Sequence, residues 1–232
     1  MQQLATQNMS NSIKNVLVTG ASNGIGLGLT KKLLNEGAAV IAITRSGEIA
    51  DFSHPNLTII KGDISDEESI KIAAEAVKNL GIKLDCLVNN AGVGLDLGDE
   101  IPTAALMNAT FATNTTGTVL FTEAFLDFVQ EGGQIVFLST AMALLRNLAP
   151  NAPAYRMSKA AINIYAVMLS QRLAAKNINV TPLHPGWVQT RMGGDTAPVT
   201  LDQSVDGIYK AITENTQTGK FWNIELNGVE EF

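Results

Sequence analysis

The clearest candidate for chemistry in this sequence is a tyrosine followed four positions later by a lysine, Tyr155 and Lys159. The surrounding pattern predicts a helix over residues 154–175, and residues four apart on a helix share one face. A free phenol has a pKa of about 10, and a neighbouring ammonium lowers that pKa toward neutrality by stabilising the phenolate. We therefore predict that Tyr155 exchanges a proton with a substrate oxygen, as acid toward a carbonyl or as base toward an alcohol. The alternative is an ordinary pair on a helix surface.

A second group of residues, near the start of the chain, has the spacing of a phosphate-binding turn. Gly20, Gly24 and Gly26 lie between a predicted strand over residues 16–19 and a predicted helix over residues 24–35. Gly20 permits a tight turn, Gly24 lets the backbone approach a pyrophosphate, and Gly26 lets the helix pack closely on the strand. The phosphates would then meet the free N–H groups of the helix N-terminus. The alternative is a glycine-rich turn that binds no ligand.

The elements that must position these groups alternate between short apolar runs and stretches of helical spacing, which predicts βαβ units around a parallel sheet. We predict strands over residues 16–19, 38–44, 57–60, 84–89, 134–139, 179–184 and 220–224. Helices are predicted over residues 24–35, 66–80, 102–111, 117–130, 154–175 and 201–213. The expected fold is α/β, a doubly wound parallel sheet of the Rossmann type that forms a single domain over residues 14–232. Residues 1–13, which are mostly polar, are expected to form a flexible tail.

Composition limits the classes of protein that fit. Hydrophobic residues make up 46% and charged residues 16% of the 232 residues, which predicts a large core and excludes a disordered or coiled-coil chain. The net charge of −6 would repel nucleic acid and anionic membranes, so neither is an expected partner. The lone cysteine, Cys86, is interpreted as a core residue. A single cysteine forms no internal disulfide, which favours a reducing compartment such as the cytoplasm. His54 and His184 lack metal-site spacing, so no metal is expected.

Taken together, the motifs resemble the short-chain dehydrogenase/reductase superfamily. The glycine spacing is Gly-x3-Gly-x-Gly, and the other motifs follow in the family's order, namely Asp63, Asn-Asn-Ala-Gly at residues 89–92, Asn114, Tyr-x3-Lys at residues 155–159, and Pro185-Gly186 with Thr190. Residues 183–194 and 219–222 resemble the C-factor and Sniffer-type carbonyl reductase branch. The resemblance implies hydride transfer between a nicotinamide cofactor and a small carbonyl or alcohol substrate. The alternative is a dinucleotide-binding signalling or sensing protein, like C-factor, in which turnover is incidental.

The same resemblance implies roles for individual side chains. Lys159 would also bind the nicotinamide ribose, and Asn114 would hold a water that links Lys159 to solvent. The family's catalytic serine aligns with Thr140, and Ser139 aligns with the structural serine before it. Because successive strand side chains point to opposite sides, only one of these two hydroxyls is expected to face the substrate. Thr140 is favoured, and Ser139 stays open.

Cofactor choice depends on the residue at the end of the second predicted strand. An acidic side chain there would bind the ribose of NAD, but Thr44 occupies the position, followed by Arg45 and Ser46. Arg45 can pair with a 2′-phosphate, so NADP(H) is the preferred cofactor and NAD(H) the alternative. By resemblance, Asp63 would meet the adenine.

The full predicted cofactor site consists of residues from all these motifs, namely Gly20, Ser22, Asn23, Gly24, Ile25, Gly26, Arg45, Ser46, Asp63, Ile64, Asn90, Ala91, Gly92, Tyr155, Lys159, Pro185, Gly186, Val188 and Thr190. The resemblance also implies that the helices carrying Asn114 and Tyr155 could form homodimer or homotetramer interfaces.

Overall fold

Apolar, β-branched runs form a central sheet in the computed structural model, which describes residues 13–232, so residues 1–12 of the predicted tail lie outside the described part. The strands are β1 (Asn15–Thr19), β2 (Ala39–Thr44), β3 (Leu57–Lys61), β4 (Leu84–Asn89), β5 (Val129–Leu138), β6 (Asn179–His184), β7 (Phe221–Asn223) and β8 (Gly228–Glu230). Their order in the sheet is β3-β2-β1-β4-β5-β6-β7-β8. All neighbours are parallel except β7 and β8.

Helices cover both faces of this sheet, as a doubly wound fold requires. They are α1 (Gly24–Asn35), α2 (Glu67–Lys78), α3 (Ala104–Phe111), α4 (Thr118–Phe125), α5 (Pro153–Arg172) and α6 (Leu201–Glu214). Adjacent residues of β1 point to opposite faces, so Leu17 packs in one core cluster with Ile162 of α5, and Val16 packs in the other with Leu29 of α1. The predicted fold class is therefore confirmed.

The predicted end of the helix over residues 117–130 and the predicted start of the strand over residues 134–139 were wrong. The helices predicted over residues 102–111 and 117–130 are joined by a π-helical turn, Ala112–Gly117, and the second α-helix ends at Phe125. The chain then enters β5 at Val129, which is buried and pairs with Leu84. The strand therefore starts five residues before its predicted start. A bulge accommodates the residues between Val129 and Gln134, where the regular pairing with β4 resumes.

The last strand of the sheet was also missed. Gly228–Glu230 turns back on β7 as an antiparallel edge strand, with Asn227 in the turn at a φ of 46°. Its sequence, Gly-Val-Glu, has neither an apolar run nor an alternating pattern, so sequence alone does not identify it as a strand. This hairpin matters for the site because Glu230 forms an ion pair with Arg146, whose loop follows β5.

The fold brings the carboxyl ends of β1, β4, β5 and β6 to one edge of the sheet, where ligands bind in doubly wound folds. The connections that leave this edge contain the glycine turn, the Asn-Asn-Ala-Gly motif, the segment between Thr140 and Tyr155, and the loop after His184. Across residues 13–232, no helix is long and apolar enough to cross a membrane.

Candidate active site

The turn between β1 and α1 has the conformation that its glycines predict. Gly20 and Gly24 have φ angles of 65° and 53°, a region that favours glycine. A Cβ at Gly26 would overlap the carbonyl oxygen of Gly20 and the side-chain amide of Asn90. Within residues 13–232, the side chain of Asn23 at the start of α1 makes no capping bond, so it leaves the helix's first N–H groups available to an anion. The chain's own residues therefore fit a pyrophosphate at this turn.

The Asn-Asn-Ala-Gly motif braces that turn from the neighbouring strand. The Asn90 Nδ2 donates to the carbonyl oxygens of Thr19 at 2.8 Å and Gly20 at 3.2 Å. The Thr19 hydroxyl accepts from the backbone N–H groups of Asn90 and Ala91, both at 3.0 Å. The Asn90 side chain thus supports the turn's backbone. Gly92 lies where an added Cβ would come within 3.2 Å of Lys159 Nζ.

The predicted adenine end of the cofactor site lies after β2 and β3. The Asp63 Oδ1 accepts from both the backbone N–H and the hydroxyl of Ser65, at 2.9 and 2.7 Å. Burial by itself raises the pKa of Asp63, but the two bonds from Ser65 and the nearby charge of Arg45 outweigh this effect. The pKa is therefore lowered overall, and the carboxylate is charged at neutral pH. Arg45 and Ser46 are exposed, whereas the side chain of Ile64 is buried in the core, leaving only its backbone available to a ligand.

The loop after β6 lies above the glycine turn. Gly186 has a φ of 82° and packs against Val199, and Val188 bridges to the same valine. The Thr190 hydroxyl donates to the carbonyl of Val188 at 3.3 Å and accepts from the N–H of Gly193 at 3.2 Å. A Cβ at Gly24 would lie 3.8 Å from the Thr190 methyl group, so the loop reaches the glycine turn. Pro185 starts this loop, and its carbonyl accepts from Ser204 at 2.7 Å.

Lys159 lies one helical turn beyond Tyr155 on α5, with only 6% of its surface exposed. Its ammonium donates to the carbonyl oxygen of Leu138, the last residue of β5, at 2.7 Å. Burial lowers the pKa of Lys159 to about 8, because a charged amine is disfavoured away from water. The lysine therefore joins α5 to the end of β5 while keeping its charge at neutral pH.

The pKa of Tyr155 departs from the expectation based on sequence. Burial raises the pKa of the phenol to about 12, and hydrogen bonding with Thr140 lowers it only in part. The pKa is therefore not lowered toward neutrality in the protein chain by itself, because desolvation of the phenolate outweighs the hydrogen bond with Thr140. At neutral pH the phenol is consequently protonated, which is the form required of a general acid.

Ser139 and Thr140 point to different partners. The Ser139 hydroxyl donates to Asn163 Oδ1 on α5 at 2.6 Å, in a fully buried contact. The Thr140 hydroxyl interacts with the Tyr155 phenol and accepts from the N–H of Met142 at 3.2 Å. The geometry therefore brings Thr140, rather than Ser139, to the tyrosine.

Asn114 lies in the π-helical turn between α3 and α4, and its side chain is fully buried. Its Oδ1 accepts from the N–H of Val93, and its Nδ2 donates to the carbonyl of Val93, both at 2.8 Å. The same Nδ2 donates to the Ser158 hydroxyl at 3.1 Å. From sequence alone this residue would be interpreted as a helix interruption or cap. In the structure, Asn114 connects the loop after β4 to α5 through these hydrogen bonds. It does so from a π-helical turn, a feature that occurs often at functional sites.

One residue at this site was missed by sequence reasoning. Asp96, only 1% exposed, accepts from the backbone N–H groups of Ala154 at 2.6 Å and Tyr155 at 3.1 Å. It therefore caps the helix that carries the tyrosine, whose own N-cap residue, Ala152, has no side-chain oxygen. The sequence does contain one sign of this contact: the residue before the helix, Ala152, cannot cap it. A helix start without a local cap needs hydrogen-bond acceptors from elsewhere in the chain.

The remaining candidates have structural partners. His184 Nε2 lies 3.3 Å from a Glu225 carboxylate oxygen, and His54 Nδ1 accepts from the N–H of Asn56 at 3.1 Å. Cys86 is fully buried, and burial raises its pKa, so its interpretation as a core residue is confirmed. Within residues 13–232, no three histidine, cysteine or acidic side chains are grouped as a metal site would require.

Comparison with known proteins identifies the family. The family model described as short chain dehydrogenase matches residues 14–199, most of the chain. The chain belongs to the short-chain dehydrogenase family. An uncharacterized oxidoreductase of Schizosaccharomyces pombe is 34% identical over 209 residues, which cover 85% of this chain and 81% of that protein.

Two solved structures of the family resemble the chain over almost its whole length. The NADPH-bound carbonyl reductase from chicken fatty liver is 31% identical, with a TM-score of 0.87 over 95% of this chain and 94% of that one. The carbonyl reductase Sniffer of D. melanogaster is 26% identical, with a TM-score of 0.87 over 94% and 99%. These matches confirm the predicted resemblance to short-chain dehydrogenases and to their Sniffer-type branch.

Proposed function

We propose that the protein is an NADP(H)-dependent carbonyl reductase with Tyr155 as its general acid. The observation that carries this proposal is a protonated phenol beside a second hydroxyl, that of Thr140, with the Lys159 ammonium one helical turn away. These groups lie at the sheet edge that also bears the phosphate turn. The similarity to a carbonyl reductase solved with NADPH supports the same conclusion.

In the proposed reaction, a bound nicotinamide supplies the hydride that reduces the carbonyl carbon. The Thr140 hydroxyl donates a hydrogen bond to the carbonyl oxygen and holds it against the phenol. Tyr155 gives its proton to that oxygen as negative charge develops there, which yields the alcohol. In the reverse direction the phenolate takes the proton from the alcohol. Solvent would then restore the proton of Tyr155 through Lys159 and a water held at Asn114.

Lys159 would hold the ribose of the cofactor and keep a positive charge near the phenol. Because its pKa is about 8, the side chain is charged below that pH and neutral above it. We expect kcat/KM for NADPH, which reports the free enzyme, to fall as the pH rises through about 8. The exposed Lys176→Ala variant should show the same fall. A profile that stays flat well above that pH would contradict the role.

Arg45 would bind the 2′-phosphate that distinguishes NADP from NAD. It is exposed at the end of β2, and no acidic group lies within ion-pairing distance of it in residues 13–232. An Arg45→Ala variant should therefore bind NADPH about tenfold more weakly, since a hydrogen bond to a charged group contributes about 1.5–3 kcal/mol. Its affinity for NADH should not change.

The measurement is a fluorescence titration of both cofactors into the unmodified chain and the variant. The control is Lys78→Ala, which removes a positive charge from the exposed side of α2. Equal affinities of the unmodified chain for the two cofactors, or parallel losses of both in Arg45→Ala, would refute the assignment.

The substrate is expected to be apolar near its carbonyl group. Leu145, Trp187 and Met192 lie in the loops after β5 and β6, and each is at least 45% exposed. Two cations nearby, Arg146 and Lys159, are already engaged, because Arg146 pairs with Glu230 and Lys159 binds a backbone carbonyl. Apolar ketones, aldehydes and quinones should therefore be better substrates than 2-oxo acids.

A panel of such compounds, followed by the loss of NADPH absorbance, tests the proposal as a whole. We expect turnover of at least one apolar carbonyl compound, with 2-oxo acids as poor substrates. Tight NADPH binding without turnover of any compound would instead favour a dinucleotide-binding sensor, for which Tyr155 and Lys159 would have no chemical use.

A further inference from the structure

The residue immediately after Tyr155 is a buried arginine that the proposed reaction does not use. Arg156 is 8% exposed. Its Nε donates to the carbonyl of Asn151 at 2.8 Å, and its Nη2 donates to the side chain of the same residue at 2.9 Å. Its Nη1 donates to the carbonyls of Met142 at 2.8 Å and Asn147 at 3.0 Å. Within residues 13–232 no carboxylate pairs with it, so neutral oxygens alone compensate this buried charge.

All four acceptors lie in one segment, residues 141–151, which connects Thr140 to the start of α5. This segment contains only two single turns of 3-10 helix, Ala141–Ala143 and Leu145–Asn147. The guanidinium contacts it near its start, its middle and its end. A segment with so little regular structure would otherwise sample many conformations, so these contacts restrict its path relative to the helix.

Stability alone does not account for an arginine here. A buried cation must lose its hydration, and an apolar side chain of similar size often stabilises a core as well or better. What the guanidinium adds is a rigid, planar set of donors that bind several carbonyls at fixed angles. Those carbonyls belong to the segment that runs from Thr140 to α5, and Tyr155 lies in the first turn of that helix.

We propose that Arg156 is a positioning residue that fixes the hydroxyl of Thr140 relative to that of Tyr155, and so sets the geometry in which the substrate carbonyl is held. This inference rests on the proposed carbonyl reduction. Because Arg156 contacts neither the glycine turn nor Arg45, its effect should fall on the chemical step and not on cofactor affinity.

The test compares Arg156→Lys and Arg156→Ala with the unmodified chain. Lysine keeps the charge but cannot reproduce the planar donor set. Both variants should lose about tenfold or more in kcat, since a shift of about 1 Å in a reacting group can cost on the order of 10²-fold. Their dissociation constants for NADPH should stay within about twofold of the unmodified value, because a shift in the Thr140–Tyr155 geometry leaves cofactor binding intact. Millimolar guanidinium should restore part of the activity of Arg156→Ala and none of that of Tyr155→Phe.

Arg172→Lys is the matched control, because this arginine lies on the same helix but pairs with Glu123 at the exposed surface. It should keep the unmodified kcat. Wild-type kcat in Arg156→Lys would overturn the proposal. Equal losses of kcat and NADPH affinity would also overturn it, because they would indicate general damage to the fold.

Hydrogen exchange provides a readout that does not need turnover. Amides of residues 141–152 should exchange faster in both Arg156 variants, with exchange in the glycine turn and β1 unchanged. If the unmodified chain reduces no carbonyl compound, the proposed function fails, and exchange alone then decides whether Arg156 orders this segment. Unchanged exchange in residues 141–152 would refute the positioning role in either case.

Discussion

Replacing Tyr155 with phenylalanine is expected to lower kcat for carbonyl reduction by at least about 10²-fold, the lower end of the range for a positioned general acid. The variant removes one hydroxyl group and keeps the ring. Because burial raises the pKa of this phenol to about 12, the group is protonated at neutral pH and can donate its proton. Affinity for NADPH should change little, since the phosphate turn and Arg45 are untouched.

The control for this variant is Tyr165→Phe, on the same helix. The Tyr165 ring packs against the core, but its hydroxyl donates to Glu123 at 2.6 Å at the surface, so loss of that hydroxyl should leave kcat unchanged. Steady-state kinetics with a substrate from the panel, together with NADPH titration, distinguish the two variants. Near-native turnover in Tyr155→Phe would show that another group supplies the proton.

The second large effect is expected at Thr140. Thr140→Val keeps the branched shape and deletes the hydroxyl that would hold the substrate oxygen, so kcat should fall on the order of 10²-fold, as for other positioned donors. Thr140→Ser should remain active because it keeps the donor.

Ser139→Ala is the matched control at the neighbouring position. Its hydroxyl donates to Asn163 within the core, so its loss should lower stability more than kcat. Kinetics and thermal unfolding of the variants at both positions test the assignment. Normal turnover in Thr140→Val together with a large loss in Ser139→Ala would reverse the roles given to these two hydroxyls.

The parts of the fold that sequence predicts well are those encoded by local patterns. β1, α1 and β4 are bounded by a glycine turn or by continuous apolar runs, and the predicted bounds of α1 and β4 agree with the structure. The start of β5 was missed because Val129 is held in the sheet by Leu84, a contact 45 residues away in sequence. Apolar periodicity near residue 129 fits a helix or a strand, and only the partner strand decides between them.

In the candidate site, too, local patterns predict some features, whereas others depend on contacts between distant parts of the chain. Spacing alone brings Tyr155 and Lys159 to one helix face, and glycine chemistry predicts the turn at Gly20 and Gly24. The direction of the Tyr155 pKa shift could not be predicted, because it depends on how far the assembled fold excludes water from the phenol. Asp96 was missed for a related reason, since it caps α5 from a loop 58 residues earlier in the chain.

The most direct test of carbonyl reduction by this protein is the fate of the hydride. NADPH carrying deuterium at the transferred position would be incubated with the unmodified chain and an apolar ketone or aldehyde, and the alcohol analysed by mass spectrometry and NMR. Deuterium is expected at the carbon that bore the carbonyl oxygen, and Tyr155→Phe is expected to form this labelled product far more slowly. Alcohol formed without deuterium at that carbon, or no alcohol from any compound of the panel despite bound NADPH, would contradict the proposed carbonyl reduction.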